Sequence, residues 1–205
     1  MHTKQVVSTG KALTEATKAM IFLHGRGATA SDILSLSTYF PVQDFALLAP
    51  QATNHTWYPY SFMAPVTENE PWLSSAIEVV DEIVNDVVTA GISHENIYLM
   101  GFSQGACLTL EYSARHASRY GGVIAFTGGL IGEQIDMTNY GGDFKDTPIF
   151  IGSSDPDPHV PASRVLASAA ILRKMNAKVT DKIYKGMGHT ISQDEIEQAN
   201  KLIFG

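Results

Sequence analysis

Short apolar runs alternate along the chain with longer stretches in which apolar residues recur every three or four positions. The short runs end in turn residues, which is typical of buried strands in a parallel sheet. The pattern predicts strands at Ala19–Leu23, Phe45–Ala49, Ile97–Met100, Val123–Phe126 and Pro148–Ile151, a more alternating strand at Val179–Tyr184, and an extra edge strand at Lys4–Ser8.

The helical pattern is clearest over Trp72–Thr89, where the apolar residues form one stripe. Similar patterns predict helices over Gln104–His116, Ala162–Met175 and Glu195–Ile203, and a short helix over Ser31–Ser37 that Ser31 would cap. Strands that alternate with helices form βαβ units, which pair in parallel and carry helices on both faces of the sheet. We therefore expect residues 1–205 to form a single α/β domain.

Composition and charge exclude several classes of protein. The chain has 205 residues, is 44% hydrophobic and carries a net charge of −7, with no run of Lys or Arg. An acidic chain of this kind is unsuited to nucleic acid or to anionic membrane surfaces. The one cysteine, Cys107, cannot form an internal disulfide. Neither a signal-peptide core nor a transmembrane stretch is present, so we expect a cytoplasmic protein with no integral membrane association.

The residues directly after the strands are the candidates for chemistry, because open α/β sheets bind ligands at the carboxyl ends of their strands. The strand at Ile97–Met100 runs into Gly101-Phe102-Ser103-Gln104-Gly105, and a helix follows at once. This is a Gly-x-Ser-x-Gly motif in the strand-to-helix context that a nucleophilic serine requires. The alternative is an ordinary βα turn with an incidental serine.

A second glycine-rich segment, His24-Gly25-Arg26-Gly27-Ala28, follows the strand at Ala19–Leu23. Two glycines let the backbone approach a reacting oxygen, so the N–H groups of Arg26 and Gln104 are the predicted oxyanion donors. A phosphate-binding loop is the alternative, but the segment is not Gly-x-Gly-x-x-Gly and no Gly-Lys-Ser/Thr follows it.

An acid and a base follow the last two predicted strands. Asp155 and Asp157 come after Pro148–Ile151, and His189 lies between glycine and threonine after Val179–Tyr184. The chain order Ser103, Asp157, His189 is that of the α/β-hydrolase triad. The aspartates could instead form a turn or cap a helix. No metal site is predicted, since the chain has neither His-x-x-x-His nor clustered cysteines.

Aromatic residues are concentrated in the loop after Phe45–Ala49. Trp57, Tyr58 and Phe62 would form an apolar wall for an acyl or aryl group, so we predict them as substrate-binding residues. The alternative is that they only pack the loop against the core. Cys107 lies in an apolar stretch and is interpreted as a core residue.

Taken together, these segments resemble the phospholipase/carboxylesterase family of small α/β-hydrolases, which includes acyl-protein thioesterases and bacterial carboxylesterases. The matching segments are Leu23-His24-Gly25-Arg26-Gly27, Leu48-Ala49-Pro50, Trp57-Tyr58, Gly101–Ala106, Asp157-Pro158-His159-Val160-Pro161 and Gly186-Met187-Gly188-His189. The resemblance implies a mostly parallel sheet with no cap domain, a Ser103–His189–Asp157 triad and no cofactor. Many relatives have His-Gly-Asp-x-Asp-Pro before the Val-Pro pair, and here counting from Gly152 favours Asp155 whereas counting back from Val160-Pro161 favours Asp157. We choose Asp157 because the following segment holds the loop of the acid.

Three functions compete at this point. The first is a serine carboxylesterase that acts on small to medium acyl esters through an acyl-enzyme. The second is a thioesterase or lysophospholipase for long acyl chains, and the third is a catalytically silent hydrolase fold used as a binding module. The expected partner is a small-molecule ester or thioester, and a homodimer is left open.

Overall fold

The computed structural model describes all residues, 1–205, and contains one mixed sheet. Its strands are β1 (Val6–Gly10), β2 (Ala19–Leu23), β3 (Ala46–Pro50), β4 (Ile97–Phe102), β5 (Gly122–Phe126), β6 (Pro148–Asp155) and β7 (Lys178–Lys185). The seven strands are ordered β1-β3-β2-β4-β5-β6-β7. All neighbours pair in parallel except β1, which runs antiparallel to β3 with Val6 opposite Pro50.

The chain forms six α-helices. They are α1 (Ala30–Ser35), α2 (Val66–Asn69), α3 (Trp72–Thr89), α4 (Gln104–Arg115), α5 (Ala162–Lys174) and α6 (Gln193–Ile203). The larger apolar cluster joins one face of the sheet to α3, α4 and α5. The smaller one joins the other face to α1 and α6. The predicted α/β fold with helices on both faces is therefore confirmed.

The predicted strands and helices all form, and the differences lie at their ends. The β4, β6 and β7 strands run two, four and one residues, respectively, beyond the predicted carboxyl ends. In β6 the extension includes Ser153 and Ser154, which are buried although polar. An apolar pattern cannot detect such residues. The edge strand starts at Val6 instead of Lys4 and continues to Gly10.

The expected cap at Ser31 is wrong. Thr29 caps α1, accepting a hydrogen bond from the N–H of Asp32, while the Asp32 carboxylate accepts one from the N–H of Thr29. This reciprocal pair is a capping box, and it satisfies two N–H groups at once, which Ser31 would not do. A second capping box, Ser192 with Glu195, starts α6 two residues before the predicted position.

The connection between β5 and β6, residues 127–147, contains no α-helix and no further strand of the sheet. Its one helical element is a 3-10 turn at Met137–Asn139, so no extra layer of helices covers the sheet edge there. This agrees with the expectation of no cap domain. No helix has both the length and the apolar character needed to cross a membrane.

Candidate active site

Ser103 occupies a sharp turn between β4 and α4, with φ 55° and ψ −119°. Serine rarely adopts this backbone conformation, and such strain is concentrated at functional sites. The two flanking glycines make the turn feasible. A Cβ on Gly105 would lie 2.0 Å from the carbonyl oxygen of Leu23, and one on Gly101 would lie 2.3 Å from the carbonyl oxygen of Gly105. The glycines of the motif are thus required by close backbone approach.

Three loops bring Ser103, His189 and Asp157 into one hydrogen-bonded chain. The Ser103 Oγ lies 2.8 Å from His189 Nε2, and His189 Nδ1 lies 2.8 Å from Asp157 Oδ2. A carboxylate only accepts hydrogen bonds, so His189 Nδ1–H donates to Asp157. Nε2 is then left as an acceptor for the Ser103 hydroxyl. This arrangement suits removal of a proton from the serine.

The Asp157 carboxylate is held in its ionised form. Its side chain is fully buried, and burial alone raises the pKa of the carboxyl. Hydrogen bonds from the N–H groups of His159 and Val160, both 2.8 Å long, and from His189 outweigh that effect. The pKa of Asp157 is therefore below its ordinary value of 3.8. At neutral pH the group carries the negative charge that would stabilise a protonated His189.

Asp155, the second candidate for the acid, lies elsewhere. It is exposed at the end of β6, and its backbone carbonyl accepts a hydrogen bond from the N–H of Gly186. The carboxylate that accepts the hydrogen bond from His189 belongs to Asp157 and not to Asp155. The segment after the acid, His159-Val160, fixes the carboxylate through its N–H groups.

The loop of His189 is held by a residue that the sequence did not single out. The hydroxyl of Ser154, buried near the end of β6, accepts a hydrogen bond of 2.9 Å from the N–H of Gly188. Gly186 and Gly188 both have positive φ, 66° and 79°, which favours glycine. Ser154 was missed because the predicted strand stopped at Ile151.

The predicted oxyanion donors are both free of acceptors in the protein. The N–H of Gln104 is the first in α4 and has no partner within the helix. The N–H of Arg26 makes no hydrogen bond to the protein, whereas the next N–H, that of Gly27, donates to the carbonyl of His55. A Cβ on Gly25 would lie 3.5 Å from the Cβ of Ser103, so this loop borders the nucleophile.

The side chains of these two residues clamp the aromatic segment 56–60, which sequence reasoning did not foresee. The Gln104 amide accepts from the N–H of Trp57 and donates to the carbonyl of Tyr58. The Arg26 guanidinium donates to the carbonyls of Pro59 and Tyr60. Arg26 and Gln104 were predicted to act through their backbone N–H groups. Their side chains also hold segment 56–60 in place.

A cavity of about 610 Å³ opens beside Ser103 and His189. Its lining residues are Arg26, Tyr58, Pro59, Tyr60, Ser61, Phe62, Ser103, Gln104, Cys107, Pro158, His159, Val160 and His189. Tyr58 and Phe62, two of the predicted substrate-binding residues, are among them. Cys107 is buried at this cavity, and burial raises the pKa of its thiol to about 12, so the group stays protonated and unreactive at neutral pH.

Trp57, the third predicted substrate-binding residue, does not reach the cavity, and this prediction is wrong. Its indole is fully buried between the rings of His2 and His24, and Nε1 donates to the carbonyl of His24 over 2.9 Å. A buried indole N–H needs an acceptor, and this carbonyl provides one inside the protein. For Trp57 the alternative interpretation, packing of the loop, is the correct one.

Two other histidines have structural contacts. His24 is buried, and its Nε2 accepts from the N–H of Ala52 while Nδ1 lies 2.8 Å from the carbonyl of Gly25. His2 contacts the carbonyl of Trp57 and the N–H of Thr53. Burial lowers the pKa of both. No group of three or more His, Cys, Asp or Glu side chains is arranged to hold a metal ion.

Known proteins resemble this chain in sequence and in fold. A family model described as Phospholipase/Carboxylesterase matches residues 2–204. The crystal structure of a phospholipase/carboxylesterase from Dyadobacter fermentans is 54% identical, with a TM-score of 0.98 over 100% of this chain and 98% of that one. Acyl-protein thioesterase 1 of Saccharomyces cerevisiae is 29% identical over 92% of each chain. The structure of esterase PE8, 22% identical with a TM-score of 0.81 over 97% of this chain and 96% of that one, shares the fold.

Proposed function

The chain belongs to the phospholipase/carboxylesterase family and is a serine hydrolase of acyl esters, and from this premise we propose that it cleaves esters of small to medium acyl groups. Ser103, His189 and Asp157 form the catalytic triad in this proposal. The N–H groups of Arg26 and Gln104 form the oxyanion hole, while Tyr58 and Phe62 contact the acyl group.

The reaction proceeds in two steps. Ser103 Oγ attacks the carbonyl carbon of the ester while His189 Nε2 takes the hydroxyl proton, and the oxyanion is held by the two free N–H groups. His189 then gives the proton to the leaving alcohol, and the acyl group stays on Ser103. Water attacks this acyl-enzyme with His189 as its base, which releases the acid and restores Ser103. Asp157 keeps Nδ1 protonated throughout and stabilises the charged imidazole.

The bulky buried side chains that line the cavity beside Ser103 are the observation that supports the size preference. Cys107 lines the cavity and lies four residues after Ser103 on α4, which is about one helical turn, or about 5.4 Å along the axis. The buried side chains of Tyr58 and Phe62 line the same region. In this proposal a short acyl chain packs against these side chains, and the additional methylene groups of a longer chain extend out of the cavity.

We expect the rate of hydrolysis of p-nitrophenyl esters to peak at short to medium chains in a series from acetate to laurate. Each methylene that enters the pocket gains about 0.8 kcal/mol, and the gain stops where the pocket is full. The series is measured as kcat/KM, with the Ser103→Ala protein as the blank.

A maximum at laurate would contradict the proposed size preference. It would favour the second candidate, a thioesterase or lysophospholipase for long chains. The relative from Saccharomyces cerevisiae is named an acyl-protein thioesterase. Equal rates for the wild type and the Ser103→Ala protein with every ester would favour the third candidate, a catalytically silent hydrolase fold used as a binding module.

A further inference from the structure

The loop that carries Trp57 connects the two predicted oxyanion donors. The N–H of Trp57 donates to the side-chain oxygen of Gln104 over 2.9 Å. The carbonyl of His55 accepts a hydrogen bond of 2.7 Å from the N–H of Gly27. Gln104 carries one of the oxyanion N–H groups, and Gly27 directly follows Arg26, which carries the other. The position of this loop therefore affects both donors.

The backbone of segment 53–57, the part of this loop before Tyr58, contains two strained residues. Asn54 and His55 have φ of 54° and 57°, in the left-handed region that residues other than glycine adopt infrequently. Such a conformation persists only where the surrounding structure holds it. Contacts on either side of these two residues are therefore needed to keep the segment in place.

The side chain of His2 makes contacts on both sides. Its Nε2 lies 2.8 Å from the carbonyl oxygen of Trp57, and its Nδ1 accepts a hydrogen bond of 3.1 Å from the N–H of Thr53. Because a carbonyl oxygen only accepts hydrogen bonds, Nε2 carries the proton and Nδ1 is left as the acceptor. Burial lowers the pKa of His2, so the imidazole keeps this neutral form at pH 8.

His2 is itself fixed to helix α3. Its N–H donates to Ser75 Oγ over 2.9 Å, and its ring packs against Trp57 and Trp72 with centroid separations of 5.5 and 5.2 Å. Only 9% of His2 is exposed, against 73% of Met1, although the first residues of a domain are usually poorly ordered unless contacts hold them. One buried side chain thus links the strained segment to a helix of 18 residues.

We propose that His2 is a positioning residue of this esterase: its imidazole holds segment 53–57 in place, and with it the two oxyanion donors. This inference rests on the proposed function and adds a residue that is not among those lining the cavity. His2 acts through the backbone that it binds. Because the oxyanion forms only after Ser103 has attacked, loss of the His2 hydrogen bonds should slow the chemical step more than it weakens substrate binding.

Two substitutions of His2 test the proposal. His2→Phe keeps a ring between the two tryptophans but removes both side-chain hydrogen bonds, while His2→Gln keeps a donor and an acceptor. With p-nitrophenyl butyrate at pH 8, we expect kcat of His2→Phe to fall by about tenfold, which is part of the loss of about 10²–10³-fold found when one oxyanion donor is removed. KM should change by less than about twofold, since binding of the ground state is not affected. His2→Gln should recover kcat to within about threefold of the wild type, the effect of imperfect hydrogen-bond geometry.

Tyr120→Phe is the matched control, because it also removes a buried hydrogen bond from a side chain to a carbonyl. The Tyr120 hydroxyl donates to the carbonyl of His116 over 2.8 Å, and neither residue lines the cavity. This variant should lower the melting temperature, as His2→Phe does, but leave kcat at the wild-type value.

Ser75→Ala is a second variant that decides the question if His2→Phe does not fold. It removes the hydroxyl that accepts from the N–H of His2, and alanine is well tolerated within a helix. We expect kcat to fall by about threefold, with KM unchanged, because His2 is then less firmly held to α3.

A His2→Phe protein that folds and keeps the wild-type kcat, or changes only in KM, would overturn the proposal. So would equal losses of kcat in His2→Phe and His2→Gln, or an equal loss in Tyr120→Phe, because the His2 hydrogen bonds would then not be the cause. If His2→Phe does not fold, a wild-type kcat in Ser75→Ala overturns it. In each case wild-type hydrolysis that depends on Ser103 would show that the proposed function still holds, whereas its absence would overturn both.

Discussion

Replacing Ser103 with alanine is expected to lower kcat for p-nitrophenyl esters by about 10⁶-fold, the effect found when the nucleophile of a serine protease is removed. In the proposed mechanism the variant loses the atom that accepts the acyl group, while the free N–H groups of Arg26 and Gln104 remain. Alanine is no worse than serine at φ 55°, so the protein should keep its fold and its melting temperature within a few degrees. Steady-state kinetics and thermal unfolding of both proteins measure the two effects.

The melting temperature serves as the control for this variant. A Ser103→Ala protein that melts like the wild type and hydrolyses esters at a comparable rate would show that another group is the nucleophile. Cys107 could not easily replace the serine, because its thiol is buried and has a pKa of about 12.

The substitution Asp157→Asn should lower kcat by about 10⁴-fold, with a much smaller change in KM. An asparagine amide can donate a hydrogen bond to His189 Nδ1, which would move the ring proton to Nε2. Nε2 could then no longer accept the proton of Ser103. The charge that stabilises the protonated imidazole is lost as well. Measured kcat and KM for a short p-nitrophenyl ester test this prediction.

Asp155→Asn is the matched control, since it makes the same chemical change two residues earlier in the chain. Asp155 is exposed and its carboxylate makes no hydrogen bond to His189, so kcat should change by less than about threefold. If Asp155→Asn were the damaging substitution and Asp157→Asn the mild one, the assignment of the acid would be reversed.

Much of the fold could be predicted because it depends on local patterns. The buried strand Ala19–Leu23 and the long helix Trp72–Thr89 form with the predicted bounds. The place of Ser103 follows from one pentapeptide, whose glycines leave room for the backbone. Chain order together with strand ends then identified Asp157 and His189, which the fold brings within hydrogen-bonding distance.

The contacts that could not be predicted join residues far apart in the sequence. Trp57 was expected in the substrate pocket, but its indole packs against His2, a residue at the chain terminus with no sequence signal of its own. Ser154 supports the loop of His189 because a polar residue is buried at the end of β6. The side chain of Gln104 reaches segment 56–60 only after the sheet has formed. Patterns of apolar residues carry no information about such pairs.

Covalent labelling of Ser103 is the most direct test of the central claim, which is that this serine carries the acyl group during ester hydrolysis. The wild-type protein, Ser103→Ala and Asp155→Asn are incubated with a p-nitrophenyl alkylphosphonate, which transfers a stable phosphonyl group to an activated serine. Intact-protein and peptide mass spectrometry then locate the adduct. The account predicts one phosphonyl group per chain on Ser103 in the wild type and in Asp155→Asn, and none in Ser103→Ala. Labelling of Ser103→Ala to the same extent, or an adduct on any other residue of the wild type, would contradict it.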